Sequence, residues 1–398
     1  MNFASLLSMC FALWEGPRQI NLKADKVKAD KVKAGSKAHV IGTQSETVCV
    51  LGPPGVGKTA VGRDLANLMF KTMRKKDPEA KPPKLVILDL SSMLPEDLMG
   101  LPKVDGEVTR YVPQDWLAEL CEPDAYGVLV LDDLPASSRQ VQIACRQVSL
   151  DRRIHQMNLA PGIFIMVTGN RRQDKSSATT LPAHFRNSVI LADFTPEFKD
   201  WEKWFRAEGF DGVIPAYLQY KTAHFSQFPK DADNLGAFAT PRTWAKMAGL
   251  IPYLPEDKRL DVASGLVGEG VAIELMAFWD LRESLVSPLE VLKDPKKAIP
   301  DLSVVSGLDR IIALVTGLAE LTSKMSLEGD KEVIAQFLAA LSYVTSDNKR
   351  EYVAMGISTF ITCGGNLIDL VDGGKKARKD NPDIDELLLD IGKIFAKG

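Results

Sequence analysis

The segment Gly52-Pro-Pro-Gly-Val-Gly-Lys-Thr59 constrains this chain more than any other. It fits the pattern G-x-x-x-x-G-K-[ST] at every defined position. Thr47–Leu51, just before it, is a short apolar run that reads as a buried strand. Ala60–Phe70, just after it, carries Val61, Leu65, Leu68 and Met69 on one helical face. Strand, glycine loop and helix in this order make a cradle for phosphate. The glycines let the backbone curl so that successive N–H groups point inward, and the helix N-terminus adds partial positive charge. Gly52, Pro54, Gly55, Val56, Gly57, Lys58, Thr59 and Ala60 are the expected lining. Lys58 is expected to reach β- and γ-phosphates, and the Thr59 hydroxyl to bind Mg2+.

A second block supports the first. Gly127-Val-Leu-Val-Leu-Asp-Asp133 is an apolar run that ends in two carboxylates. A buried parallel strand delivers its last residues to the carboxyl edge of the sheet, where ligands bind in open α/β folds. Asp132 is then expected to hold Mg2+, mostly through water, and Asp133 to orient or deprotonate an attacking water.

Composition narrows the rest. With 398 residues there is room for two or three domains. A net charge of −3 gives no global reason to expect nucleic acid or an acidic membrane as partner. Cys10, Cys49, Cys121, Cys145 and Cys363 are scattered without C-x-x-C spacing, which argues against zinc and disulfides and fits a reducing, cytoplasmic setting. His39, His155, His184 and His224 lie far apart and read as packing or surface residues. No apolar run is long enough to span a membrane. Residues 1–14 lack the basic start and cleavage site of a signal peptide, so a helix packed on the core is expected there. Residues 23–34 hold the repeat Lys-Ala-Asp-Lys-Val, read as a solvated arm or exposed strand, or as a basic arm that grips phosphate or a neighbouring subunit.

From residue 47, strands and helices alternate. Strands are expected at Val48–Leu51, Leu85–Leu88, Val128–Leu131, Ile163–Thr168 and Val189–Leu191, which predicts a mostly parallel sheet covered on both faces. Asp105-Gly106 between valines predicts a β-hairpin over residues 104–109. Beyond about residue 195 only helical patterns remain: Phe198–Phe205, Thr243–Leu250, a long helix over Ser264–Leu281, Asp309–Thr322 and Glu332–Val344. Asp369–Asp383 reads as a Gly- and Lys-rich breaker before a last helix at Ile384–Phe395.

Taken in order, these blocks resemble an AAA+ ATPase of the MoxR-like, dynein-related lineage, as in phage and bacterial members, over roughly residues 36–280. Gly52–Thr59 resembles the Walker A motif and Val128–Asp133 the Walker B. Ile165–Asn170 resembles the strand that ends in sensor 1, here Asn170, whose amide would hold the attacking water. Leu181–Asn187 resembles the segment that carries the arginine finger. Ala239-Thr-Pro-Arg-Thr-Trp244 resembles the sensor 2 segment, with Thr240 as N-cap, Pro241 in the first turn and Arg242 aimed at the γ-phosphate. Val267-Gly-Glu-Gly270 resembles a further block of this lineage, and the hairpin its helix-2 insert.

The resemblance implies an α/β fold: a P-loop AAA+ core with a five-stranded parallel sheet between helices, then an all-helical lid and a C-terminal helical region. The expected bounds are 1–35 for the N-terminal helix and basic arm, 36–195 for the core, 196–290 for the lid and 291–398 for the last region. ATP or ADP with Mg2+ is the implied ligand. The implied partners are further copies of the chain in a ring, hexamer-like, and a protein substrate or adaptor, for which the resemblance suggests a von Willebrand A type. The sequence departs from the family twice. Asp133 replaces the usual Glu and reaches about one methylene less. Ser188 stands where the finger arginine is usual, which leaves Arg186, Arg171 and Arg172 as alternatives. Three functions stay open: a remodelling ATPase, a nucleotide-regulated scaffold with little hydrolysis, and a motor or loader acting on DNA.

Overall fold

The computed structural model describes residues 1–30, 46–171, 174, 179–228, 236–284, 286–300, 307–345 and 350–377. They form two compact units, divided after Glu197.

The first unit holds a five-stranded parallel sheet. Its strands are β1 (Val48–Leu51), β2 (Lys84–Asp89), β5 (Tyr126–Asp132), β8 (Gly162–Gly169) and β9 (Ile190–Asp193), in the order β2-β5-β8-β1-β9. Between them lie the hairpin of β3 (Leu101–Asp105) and β4 (Val108–Val112) and a small one of β6 (Arg153–Ile154) and β7 (Met157–Asn158). The helices are α1 (Phe3–Asp30), α2 (Lys58–Lys76), α3 (Pro95–Met99), α4 (Asp115–Leu120), α5 (Arg139–Asp151) and α6 (Ala183–Arg186).

The apolar runs form strands because both faces of the sheet find cover. Side chains alternate across a strand. Val48, Val50, Val128, Val130, Phe164 and Met166 pack with Val61, Leu65 and Met69 of α2 and with Leu6, Cys10 and Trp14 of α1. Cys49, Leu129, Leu131, Ile163, Ile165 and Val167 pack on the opposite face with Leu117 and Leu120 of α4 and Val141, Cys145 and Val148 of α5. Burial in this apolar interior pushes the Cys10, Cys49 and Cys145 thiols up to about 12. The N-terminal helix expected from the sequence is fastened by Trp14 Nε1, which donates to Gly162 O at 3.0 Å. It runs through Asp30, so the start of the basic repeat is helical rather than an exposed strand. The rest of the repeat lies outside the described residues.

The second unit is helical throughout its described residues. It comprises α7 (Phe198–Ala207), α8 (Val213–Tyr220), α9 (Pro241–Leu250), α10 (Glu256–Val267), α11 (Glu269–Ser284), α12 (Pro288–Lys293), α13 (Pro295–Ala298), α14 (Leu308–Leu327), α15 (Val333–Val344), α16 (Arg350–Thr362) and α17 (Leu367–Ala377). One core is aromatic, with Trp201, Phe205, Tyr217, Trp244 and Phe278. The other gathers Leu314, Leu318, Ile334, Phe337, Leu341 and Phe360. Helix α14 serves both, through Ala313 on the first and Leu314 on the second.

Two sequence expectations fail here. The long helix over Ser264–Leu281 is broken at Gly268, which turns at φ +91°. A Cβ there would also stand 2.9 Å from Ala237 O. The stretch from Asp369, read as a breaker, is helical through Ala377. Gly373 lies against α15, where a Cβ would meet Ile334 Cγ2 at 2.6 Å, so this glycine permits close packing rather than ending the helix. The helix expected at Ile384–Phe395 lies outside the described residues.

A buried ionic cluster ties the two helical cores. Arg206 donates to Glu320 Oε1 at 2.7 Å and to Glu202 Oε1 at 2.9 and 3.0 Å. Gln219 Nε2 donates to the same Glu202 oxygen at 2.8 Å and to Thr359 Oγ1 at 3.2 Å. Burial pulls the Arg206 guanidinium down, yet Glu320 and Glu202 hold it above its ordinary value. Burial raises the Glu202 carboxyl, and Arg206 offsets part of that. Glu320→Ala removes the 2.7 Å charged hydrogen bond to Arg206 and leaves the guanidinium paired, among the described residues, with Glu202 alone. It is expected to destabilise the helical unit by about 2 kcal/mol, read as a lower urea midpoint in far-UV circular dichroism, with Glu320→Gln milder.

Candidate nucleotide site

Strand order decides where a ligand can sit. From β1 the chain crosses to β2 at one edge; from β8 it crosses the other way to β9. The point between β1 and β8, where the connections diverge, is the switch point at which open α/β sheets bind ligands. Leu51 and Gly169, the last residues of these strands, are paired neighbours.

The glycine loop leaves β1 at this point. Gly55 and Gly57 take φ of 75° and 97°. A Cβ on Gly57 would meet nothing within 4 Å, so the backbone conformation, not space, demands glycine there. Gly57 is the N-cap of α2 and offers it no side-chain cap, while Ala60 N donates to Gly57 O at 3.0 Å; a helix N-terminus of this kind favours an anion.

Lys58 is buried at 8% exposure. Its ammonium donates to Gly52 O at 3.0 Å, Pro53 O at 2.7 Å and Asn170 Oδ1 at 2.8 Å. A lysine only donates, which fixes the Asn170 oxygen toward it and turns the amide NH2 the other way, as a donor for phosphate or water. Thr59, next in α2, donates to Asp132 Oδ2 at 3.0 Å. Thr168 Oγ1 donates to the other oxygen, Asp132 Oδ1. The pairing of Thr59 with Asp132 joins the helix after β1 to the end of β5.

Asp133 follows in the left-handed region, at φ 56° and ψ 36°. That region is sparsely populated by non-glycine residues, and such backbone collects at functional sites. The turn after it is fastened from two sides. Gln142 Nε2 donates to Ser137 O at 3.2 Å and to Thr179 Oγ1 at 2.9 Å, and Thr179 N donates to Pro135 O at 2.7 Å.

Mg2+ fits this donor set. A hydroxyl and a carboxylate oxygen are hard ligands, and Mg2+ is commonly held by one or two carboxylates together with substrate phosphates. Among the described residues no group of three or more His, Cys, Asp or Glu could hold a metal by itself. Thr59 and Asp132 would thus share the ion with phosphate oxygens.

The arginines separate. Arg186 is the last residue of α6 and exposed, anchored through its buried neighbour Phe185. Ser188, in the family's finger position, turns inward: its hydroxyl donates to Phe185 O at 2.7 Å and His184 O at 3.0 Å. Arg171 is held by Asp174 through Nε at 3.0 Å and Nη2 at 3.2 Å. Arg172 lies outside the described residues. Arg242 belongs to the second unit, exposed as the second residue of α9. Thr240 caps that helix, accepting from Thr243 N at 3.2 Å.

Within the first unit, Lys58, Thr59, Asp132 and Asn170 are joined by direct contacts. Thr168 lay inside a block that the sequence singled out, but as one more residue of an apolar strand. Its only sequence signal is a hydroxyl in an otherwise apolar run.

No family model matches the chain, and no curated protein matches it. Among solved structures, a RuvB mutant from Thermotoga maritima is similar at 14% identity over 64% of this chain and 71% of its own, with a TM-score of 0.34. NtrX from Brucella abortus in complex with ADP is similar at 14% identity over 78% and 70%, with a TM-score of 0.34. PCH-2 from C. elegans is similar at 15% identity over 70% and 62%, with a TM-score of 0.32. The fold rests on the chain's own sheet order and loop geometry: an α/β architecture with a five-stranded parallel sheet, a glycine loop between β1 and α2, and a helical C-terminal region.

Loss of the Lys58 ammonium removes the loop's one cation together with its bonds to Gly52 O, Pro53 O and Asn170 Oδ1, while the packed faces of the sheet keep their cover. Lys58→Ala is expected to weaken ATP binding in calorimetry at least tenfold, about 1.4 kcal/mol or more, with an unchanged circular dichroism spectrum. Wild-type affinity in this variant would remove the loop from the site.

Proposed function

We propose that this chain is an AAA+ ATPase of the MoxR-like lineage, which hydrolyses ATP at the subunit interfaces of a hexamer-like ring and uses the cycle to remodel or assemble a protein partner in the cytoplasm. The observation that carries the reading is the convergence of Lys58, Thr59, Asp132 and Asn170. They come from the ends of three strands and meet at the sheet's switch point.

The geometry around Lys58, Thr59, Asp132 and Asn170 supports the following roles. The loop N–H groups and Lys58 bind and orient the β- and γ-phosphates. Thr59 and Asp132 would hold Mg2+, which would supply positive charge to offset that on the phosphates. Asp133 accepts the proton of the attacking water, and the Asn170 NH2 holds that water in line. Arg186 reaches the γ-phosphate of a neighbouring subunit. Its exposure and its lack of an ion-pair partner among the described residues support that role over Arg171, which Asp174 already occupies. Arg242 takes the sensor 2 role that the resemblance of its segment implies. Lid and C-terminal region divide near residue 290. The partner is a protein, with a von Willebrand A-type domain as the first class to test.

Complementation tests the shared site. Arg186→Ala and Asp133→Asn are each expected to retain ATP but to turn it over about a hundredfold more slowly or worse. Mixed together, they should recover activity, because some interfaces then combine an intact Asp133 with an intact Arg186. Full turnover by Arg186→Ala alone would sink the trans finger. Binding without turnover in the wild-type chain would favour a nucleotide-regulated scaffold.

A further inference from the structure

Sheet parity places one more residue at this site. Val128 and Val130 of β5 share a face with Phe164 and Met166 of β8, the face that α2 covers. Two residues further along each strand, the same face is occupied by Asp132 and Thr168. The registers Val130↔Met166 and Leu131↔Val167 set these two abreast. Thr168 is fully buried, at 0% exposure. Its environment would suit valine, yet the residue is a β-branched alcohol.

The hydroxyl is engaged on both sides. Thr168 Oγ1 donates to Asp132 Oδ1 and accepts the Asp133 N–H at 3.5 Å. The other Asp132 oxygen takes the Thr59 hydroxyl at 3.0 Å. One buried group thus touches the side chain of the first acid and the backbone of the second. That backbone is the one at φ 56°. A Thr59 hydroxyl bound to a metal keeps its proton for Asp132, but its position then follows the metal. Thr168 stays anchored in the central strand. It is the fixed partner that sets the carboxylate plane of Asp132.

We propose that Thr168 is a positioning residue for the metal: it fixes the Asp132 carboxylate toward the ion shared with Thr59 and steadies the turn that presents Asp133. The inference rests on the nucleotide-site reading above. It predicts a defect in metal dependence rather than in nucleotide contact, because Thr168 lies behind Asp132 and not in the phosphate loop. Groups that orient a metal's own ligands typically matter tenfold to a hundredfold in metal affinity.

Three proteins test it: wild type, Thr168→Val, which keeps the shape and loses the hydroxyl, and Thr168→Ser, which keeps the hydroxyl. ADP binding is measured by calorimetry in EDTA and across a Mn2+ series, and ATP turnover across a Mg2+ series. Thr168→Val is expected to need about tenfold more Mn2+ or Mg2+ for half its effect, with ADP affinity in EDTA unchanged. Thr168→Ser should stay within about threefold of wild type on the same scale. Wild-type metal dependence in Thr168→Val overturns the proposal. So does equal impairment of Thr168→Ser, or a loss of ADP affinity in EDTA. A wild-type chain that binds no ADP under any condition overturns the nucleotide reading itself, and this inference with it.

Discussion

The Lys58 ammonium joins the start of α2 to the end of β8. It bonds two carbonyls of its own loop and the Asn170 side chain, all within 3.0 Å. A nearly buried cation is tolerable only when its donors are matched, and these oxygens match them. The loop is thereby held against the neighbouring strand end, and Thr59 is set 3.0 Å from Asp132. A sheet with another strand order would separate these groups. In this order, three strand ends meet within the reach of single side chains.

Much of this was legible in the sequence because its physics is local. A glycine loop between an apolar run and a helical face has few readings, and all five sheet strands lie where apolar runs were seen, shifted or lengthened by a residue or two. Period-two alternation is what both-face burial requires, and Val128–Leu131 shows it in the packing. Other features were not legible because they depend on distant partners. Gly373 resembles a breaker until α15 is known to press on it. Gly268 sits in an apolar helical pattern, and its turn at φ +91° beside Ala237 O is a feature of the folded chain. Nothing near Asp133 in sequence announces its left-handed backbone, since the groups that fasten the turn, Gln142 and Thr179, come from elsewhere.

The positions where the chain departs from the pattern it resembles gain physical content. Ser188 does not stand in for an arginine. It closes the turn after α6 by donating to Phe185 O and His184 O, which leaves Arg186 as the outward-facing cation of that segment. Asp133 has a shorter reach than glutamate, and its backbone lies in the left-handed region at the strand's end. In the helical half, the Arg206–Glu202–Glu320 cluster spans α7 and α14, so the helices after residue 307 share a buried polar centre with those before them.

The central claim is that one nucleotide with its metal is bound and hydrolysed at the end of β1 and β8. The most direct measurement is a calorimetric titration of the wild-type chain with ATP–Mg2+, paired with phosphate release before and after EDTA. The account predicts about one nucleotide per chain, and turnover that EDTA abolishes and added Mg2+ restores. A chain that binds no ATP, or that releases phosphate equally well without metal, would contradict it.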